Sequence, residues 1–124
     1  MKPGAKRVEY GNAGHLGAYL LNESLDYLNN FGIEKISSHA REMCKKIVEG
    51  LNSNQLEVIT PTAPHEIAGN AAFAFNEPEH FVERAAEDGI LVWGDNNRVR
   101  VSAHVFTTAN DVDVFLGNLP KYLS

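Results

Sequence analysis

The sequence lacks most of the features that mark secreted or membrane proteins. It contains one cysteine, Cys44, so an internal disulfide and a zinc site built from several thiolates are excluded. Such cysteine usage is typical of a reducing compartment and predicts a cytoplasmic protein. No apolar run approaches the roughly 20 residues that a membrane-spanning helix needs. The first residues also lack the apolar core of a signal peptide, so we expect neither a membrane partner nor secretion.

Basic side chains are scarce as well. Eleven Lys and Arg stand against 16 Asp and Glu, which gives a formal net charge of −5. The basic residues form no block longer than a pair, so the sequence does not favour nucleic acid as a partner. The five histidines show no paired ligand spacing, and we therefore expect no metal site.

The length and the hydrophobic content favour one compact core. The chain has 124 residues, and 44% of them are hydrophobic. This length is too short for the two large domains that many cofactor enzymes need. Helical periodicity predicts a first helix over residues 16–31, ended by Gly32. The clearest amphipathic helix follows, with apolar residues at Ile33, Ile36, Ala40, Met43, Ile47 and Leu51.

The second half of the chain alternates strand and helix patterns. Two short strands, 56–60 and 71–75, flank a proline-containing loop, and a capping box formed by Asn76 and Glu79 predicts a third helix that runs to about Asp88. Residues 90–93 and 99–105 predict a hairpin that turns at residues 95–97, with Trp93 as a core anchor. A last helix starts at a cap formed by Thr108 and Asp111. Pro120 is expected to end or bend this helix.

This order of elements predicts an α+β fold with a small, mostly antiparallel sheet covered by helices on one face. One strand of that sheet, residues 98–104, carries unusual polar chemistry. Side chains alternate between faces along a strand. One face therefore holds Val99, Val101, Ala103 and Val105, and the other holds Arg98, Arg100, Ser102 and His104.

Arg100 is suited to bind a carboxylate, because its planar guanidinium can donate two parallel hydrogen bonds. The residues alone leave a second interpretation open. In this second interpretation, the polar face is only exposed to solvent, and Arg100 forms an ion pair with an acidic residue on the surface.

Residues 100–113, RVSAHVFTTANDVD, resemble the closing motif of the class V aminotransferase and cysteine desulfurase family of pyridoxal-phosphate enzymes. In that motif Arg-x-Ser precedes an aromatic residue, Asn-Thr, and an acidic-Val-Asp sequence that begins the last helix. Arg100 and Ser102 match, and Thr107 stands where the family has Asn. The resemblance implies the fold of the family's C-terminal small domain, in which Arg100 binds the α-carboxylate of an amino-acid substrate.

Residues 8–17, VEYGNAGHLG, resemble the family's Phe-Glu-x-Gly-Thr-Pro-Asn-x-x-Gly segment, and residues 60–75 resemble its loop and strand after the second helix of the small domain. The resemblance implies a homodimer in which Gly11 and Asn12 contact the pyridoxal-phosphate cofactor of the partner subunit. Asn12 replaces the family's Thr, and its amide can donate a hydrogen bond to a phosphate oxygen. The alternative is that these glycines only provide a flexible entry to the first helix.

The residues that bind most of the cofactor have no counterpart in this sequence. A pyridoxal-phosphate enzyme needs a Schiff-base Lys, an acid at the pyridine nitrogen and a stacking aromatic, which the family carries on a preceding large domain. Lys2 and Lys6 lie too close to Asn12 to match that Lys. We therefore interpret residues 1–6 as a leader or linker and residues 7–124 as the C-terminal small domain, and we expect no catalytic residue and no activity in this fragment alone.

The persulfide-carrying Cys loop of desulfurases has no counterpart either, because residues 89–96 leave only eight residues between the third helix and the turn at Asn97. Cys44 falls on the amphipathic helix and is predicted to be a small core or boundary residue rather than a nucleophile. These features favour a transaminase, epimerase or lyase as the parent enzyme over a true desulfurase. The alternative from another class is a stand-alone α+β binding module, whose Arg100, Ser102 and His104 face would bind a small acid or a protein.

Overall fold

A computed structural model describes Gly4, Gly11 and residues 14–124. The chain divides into two units with a boundary between Ile33 and Glu34. The first unit contains helix α1 (His15–Phe31), which ends at Gly32 with a positive φ of 93°, and the Gly32 N–H donates to the carbonyls of Leu28 and Asn29. Over this described range α1 has no buried side chain. The predicted stop at Gly32 is confirmed.

The second unit is an α+β domain, as predicted. Its elements are α2 (Ile33–Ser53, which begins at the boundary), β1 (Asn70–Ala74), α3 (Pro78–Glu87), β2 (Trp93–Asp95), β3 (Arg98–Ser102) and α4 (Ala109–Leu123). The three strands form an antiparallel sheet in the order β1-β3-β2, so β3 is the central strand. Side chains from α2, α3 and α4 share one apolar core with the sheet.

The predicted alternation on β3 is confirmed from Arg98 to Ser102. Val99 and Val101 are buried, whereas the residues between and beside them are exposed. On β1, Ala71 and Phe73 lie opposite Val101 and Val99 and are buried with them. One face of the sheet therefore contributes to the core, and the other face is open.

The strand predicted at residues 56–60 is reduced to a single bridge between Val58 and Phe73. The Ile59 N–H still donates to the Ala72 carbonyl at 2.9 Å. The Ala72 N–H, however, donates to the side-chain Oγ1 of Thr60 at 2.7 Å rather than to a main-chain carbonyl. A side-chain acceptor thus takes the place of the next ladder bond, and the strand ends there.

One of the two predicted capping boxes is confirmed. Thr108 Oγ1 accepts the Asp111 N–H, and Asp111 Oδ2 accepts the Thr108 N–H at 2.7 Å. The hydrogen bonds that the Asp111 carboxylate accepts from the N–H and the hydroxyl of Thr108 lower the pKa of Asp111. The box predicted at Asn76 and Glu79 is wrong. Helix α3 begins at Pro78, which makes Glu77 the N-cap and shifts Glu79 out of the N3 position that the box requires.

Pro120 does not end the last helix, because α4 continues to Leu123, and the predicted bend at Pro120 stays a prediction. Pro120 lies close to the end of the helix, so its missing N–H removes a hydrogen bond only where α4 is about to end. Helices α2 and α4 approach closely at Gly50, where a Cβ atom would overlap the side chain of Leu116. Glycine at this position therefore lets the two helices close over the core.

The C-terminal ends of α3 and α4 are joined by a polar contact. The Tyr122 hydroxyl donates to Asp88 Oδ2 at 2.9 Å, and Lys121 Nζ lies 2.8 Å from both carboxylate oxygens. The hydrogen bonds from Lys121 and Tyr122 lower the pKa of Asp88. Burial and the neighbouring Asp88 carboxylate raise the pKa of Tyr122 to about 12.

We expect Tyr122 to keep its proton in the native protein until the pH approaches about 12 in an alkaline titration. An unfolded tyrosine loses its proton near pH ~10. The stabilising contribution of Tyr122 is therefore fully present below that pH and is lost as the pH rises through about 12. Tyrosinate absorbance at 295 nm measures this, with circular dichroism reporting whether the fold persists. Tyr122→Phe should remove the late phase, and a late phase that survives this substitution would assign it to another residue.

Candidate substrate-binding face

Arg100 lies in the middle of the central strand β3, on the open face of the sheet. Its cross-strand neighbours are Ala72 on β1 and Trp93 on β2. The Arg100 side chain is exposed, and its guanidinium carbon lies 5.1 Å from the centroid of the Trp93 ring. This cation-π contact favours one orientation of a side chain that would otherwise sample many rotamers.

Arg98 lies on the same face of β3, and its guanidinium carbon is 5.4 Å from the centroid of the same indole. Its cross-strand neighbour Asp95 accepts hydrogen bonds from the main-chain N–H and the side-chain amide of Asn96, both at 2.8 Å. None of the ion pairs among the described residues includes Arg98 or Arg100. Over the described part of the chain, Arg100 therefore does not pair with a surface acid, as the second interpretation of this face would require.

Trp93 was expected in the core and lies instead on the open face, with 39% of its surface exposed. The hairpin turn explains the difference. Asn96 and Asn97 both have positive φ angles, 52° and 55°, and form a two-residue turn, so Asp95 belongs to strand β2. Trp93 then pairs with Arg100 and shares its face.

The structure separates His104 from the other polar residues of the predicted row. Ser102 is exposed at the end of β3, opposite Asn70. His104 lies beyond the strand, and its ring centroid is 5.6 Å from that of Phe106. The His104 N–H donates to Thr107 Oγ1 at 3.0 Å, so Thr107 makes a turn contact at the position where the family has Asn.

Of the two residues predicted to contact a cofactor phosphate, one can be placed. Gly11 is exposed and has a positive φ of 114°, a backbone conformation that favours glycine. Asn12 lies outside the described residues. The predicted contact of Gly11 and Asn12 with a partner's cofactor remains a prediction.

The described residues do not form a complete pyridoxal-phosphate site. The described lysines lie on α2 and α4, and three of them form ion pairs: Lys45 with Glu49, Lys46 with Asp113, and Lys121 with Asp88. No described lysine lies on the strands that carry Arg100. A Schiff base therefore cannot be assigned to this face.

Two further features of the described residues limit the chemistry of this unit. Cys44 is buried, and burial raises the pKa of its thiol, which disfavours the reactive thiolate. Groups of three His, Cys, Asp or Glu side chains that could hold a metal ion are absent from residues 14–124. In the same part of the chain, none of the helices has the length and apolarity required to cross a membrane.

The fold is the α+β fold predicted from the sequence, and comparison with known proteins gives the family. Residues 2–115 match the family model of aminotransferase class-V. The chain therefore belongs to the aminotransferase class-V family.

Individual relatives agree with this assignment. The chain is 27% identical over 137 residues to a protein of Pyrococcus abyssi (strain GE5 / Orsay) described as "Probable cysteine desulfurase", covering 94% of this chain and 33% of that protein.

Two solved structures share the fold. The apo cysteine desulfurase of Thermococcus onnurineus NA1 is 22% identical, with a TM-score of 0.84 over 99% of this chain and 34% of that one. A NifS-like protein is 19% identical, with a TM-score of 0.62 over 73% of this chain and 28% of that one. The chain thus spans about a third of the length of these relatives.

Proposed function

We propose that residues 7–124 form the C-terminal small domain of a pyridoxal-phosphate-dependent enzyme that acts on an amino acid, with Arg100 binding the α-carboxylate of the substrate. Residues 1–6 are then a leader or linker. Family membership supports the enzyme class. The observation that carries the role of Arg100 is its exposed guanidinium, which is oriented by Trp93 and pairs with no described acid.

The contacts of Arg100 suit a binding role. A guanidinium that already forms an ion pair would have to break it before binding substrate, whereas Arg100 has both of its outer N–H groups free of described partners. A carboxylate can accept two parallel, charge-assisted hydrogen bonds from such a group. Stacking on Trp93 reduces the rotamer entropy that Arg100 loses when it binds.

We further propose that the parent enzyme is a homodimer in which Gly11 and Asn12 contact the partner's cofactor phosphate. The 124-residue chain alone is inactive because the Schiff-base lysine lies on another domain. When bound, pyridoxal phosphate supplies the electron sink for the chemistry. The two-residue turn between β2 and β3 and the buried Cys44 favour a transaminase, epimerase or lyase over a desulfurase, although the relatives reported above carry the desulfurase name.

Arg100→Ala in the full-length enzyme tests the role of this residue. Loss of a charge-assisted bidentate contact should weaken substrate binding by about 1.5–3 kcal/mol, which corresponds to roughly 12- to 140-fold in Kd. Thermal unfolding should change little, because Arg100 is on the open face. Substrate affinity is measured by the spectral change of the bound cofactor.

Arg100→Lys should restore only part of the affinity, since an ammonium cannot make the same paired hydrogen bonds. Arg41→Ala is a matched control, because it removes an exposed arginine from α2, away from the sheet. Wild-type affinity in Arg100→Ala would refute the assignment.

A further inference from the structure

The open face of the sheet presents two guanidinium groups, and the proposed function uses one of them. Arg98 is two residues before Arg100 on β3, is exposed, and lies over the same indole. Two positive charges repel each other when they are close together. Their shared contact with Trp93 therefore places two guanidinium groups at one indole, and a monocarboxylate bound at Arg100 would leave Arg98 without a ligand.

The surroundings of Arg98 leave its charge available. Its cross-strand neighbours are Ala74 on β1 and Asp95 on β2. Ala74 carries no charge, and both carboxylate oxygens of Asp95 already accept hydrogen bonds from Asn96. The acid that the strand register places beside Arg98 is thus bonded to the turn, and Arg98 has no ion pair among the described residues.

The spacing of the two cations suits one small ligand. Residues i and i+2 of a strand are about 6.6 Å apart along the backbone and point to the same side. Because the two guanidinium carbons lie 5.4 Å and 5.1 Å from the centroid of a single indole, they are at most 10.5 Å apart. A short amino acid with a carboxylate at each end can reach both of them.

We propose that Arg98 and Arg100 together bind an amino acid with an acidic side chain: Arg100 binds the α-carboxylate and Arg98 binds the side-chain carboxylate. Arg98 is then a specificity-determining residue. This inference rests on the proposed role of Arg100. It adds a second contact, between Arg98 and the side-chain carboxylate, which can be tested independently of the first.

The chain contains one tryptophan, and it is the residue on which both arginines stack. Its indole N–H therefore gives a single NMR signal that reports on this site. The 124-residue chain is titrated with L-aspartate and L-glutamate and, separately, with their neutral counterparts L-asparagine and L-glutamine, at constant ionic strength. The acids should bind about tenfold or more tightly than the amides, because only they engage both guanidinium groups.

Single substitutions separate the two proposals. Arg98→Ala should abolish the preference for the acids while leaving the affinity for the amides near its wild-type value. Arg100→Ala should weaken binding of all four amino acids. Arg41→Ala, which makes the same change of charge on α2, should leave both properties unchanged.

Equal affinities of the wild-type chain for acids and amides, or a preference that survives in Arg98→Ala, would overturn the role of Arg98. If Arg100→Ala still weakened binding in that case, the proposed function would stand without the further inference. Unchanged binding of all four amino acids in Arg100→Ala would instead remove the proposed function and the inference that rests on it.

Discussion

Phe81→Ala should lower the free energy of unfolding of the second unit by about 3–5 kcal/mol, as expected for a fully buried aromatic side chain. Phe81 is at 0% exposure on α3. Its ring centroid lies 5.5 Å from that of Phe73, 5.6 Å from that of Phe75 and 5.4 Å from that of Tyr122, each in an edge-to-face arrangement. Phe81 thus packs α3 against both β1 and α4.

The cavity left by Phe81→Ala would be lined by rings from separate elements that are fixed by the sheet and by α4, so it cannot collapse easily. Urea unfolding followed by circular dichroism measures the loss. Phe81→Leu keeps most of the apolar volume and should lose less. Phe106→Ala is the matched control, because Phe106 is 81% exposed and its removal should change the stability by less than about 0.5 kcal/mol. A similar loss in both alanine variants would contradict the packing described here.

The sequence predicts the elements that have strong local signals. The valines of β3 alternate strictly with polar residues, and this period of two indicates both the strand and its buried face. The cap formed by Thr108 and Asp111 also depends on residues only three positions apart, so its geometry is set locally. Both predictions are confirmed because neither requires a distant partner.

The position of Trp93 could not be obtained in the same way. A turn that includes residues 95–97 places Asp95 outside the strand, which leaves the pairing across the hairpin undefined. The two-residue turn at Asn96 and Asn97 defines it, and Trp93 then lies opposite Arg100. Paired asparagines favour two-residue turns with positive φ angles, so the sequence carries a signal for this turn, but a turn over residues 95–97 is one residue too long.

Other differences arise from tertiary context. The strand at residues 56–60 ends where Thr60 Oγ1 accepts the Ala72 N–H, a contact across the sheet that no local pattern encodes. In the candidate site, too, some features follow from the sequence and others only from the folded structure. Alternation places Arg100 on the open face, and family resemblance suggests its ligand. The contact of Arg100 with Trp93, and the bonds of Asp95, the cross-strand neighbour of Arg98, to Asn96, form only once the turn has folded.

Val99→Asp should destabilise the second unit by about 3–5 kcal/mol at pH 7, because it buries a carboxylate that has no partner. Val99 is at 0% exposure in the centre of β3, between Phe73 on β1 and Gly94 on β2. Burial raises the folded-state pKa of such a carboxyl above its unfolded value of about 3.9. The loss of stability should therefore be largest above the folded-state pKa and should shrink as the pH falls through it.

Ser102→Asp adds the same charge to the same strand, on the face that carries Arg100, and should change the stability by less than about 0.5 kcal/mol at either pH. Urea unfolding of both variants and the wild type at pH 7 and pH 5 makes the comparison. A strand shifted by one residue would exchange the two results, because every side chain of β3 would change face. A tolerated Val99→Asp beside a destabilised Ser102→Asp would place Arg98 and Arg100 in the core, where neither could bind a substrate carboxylate.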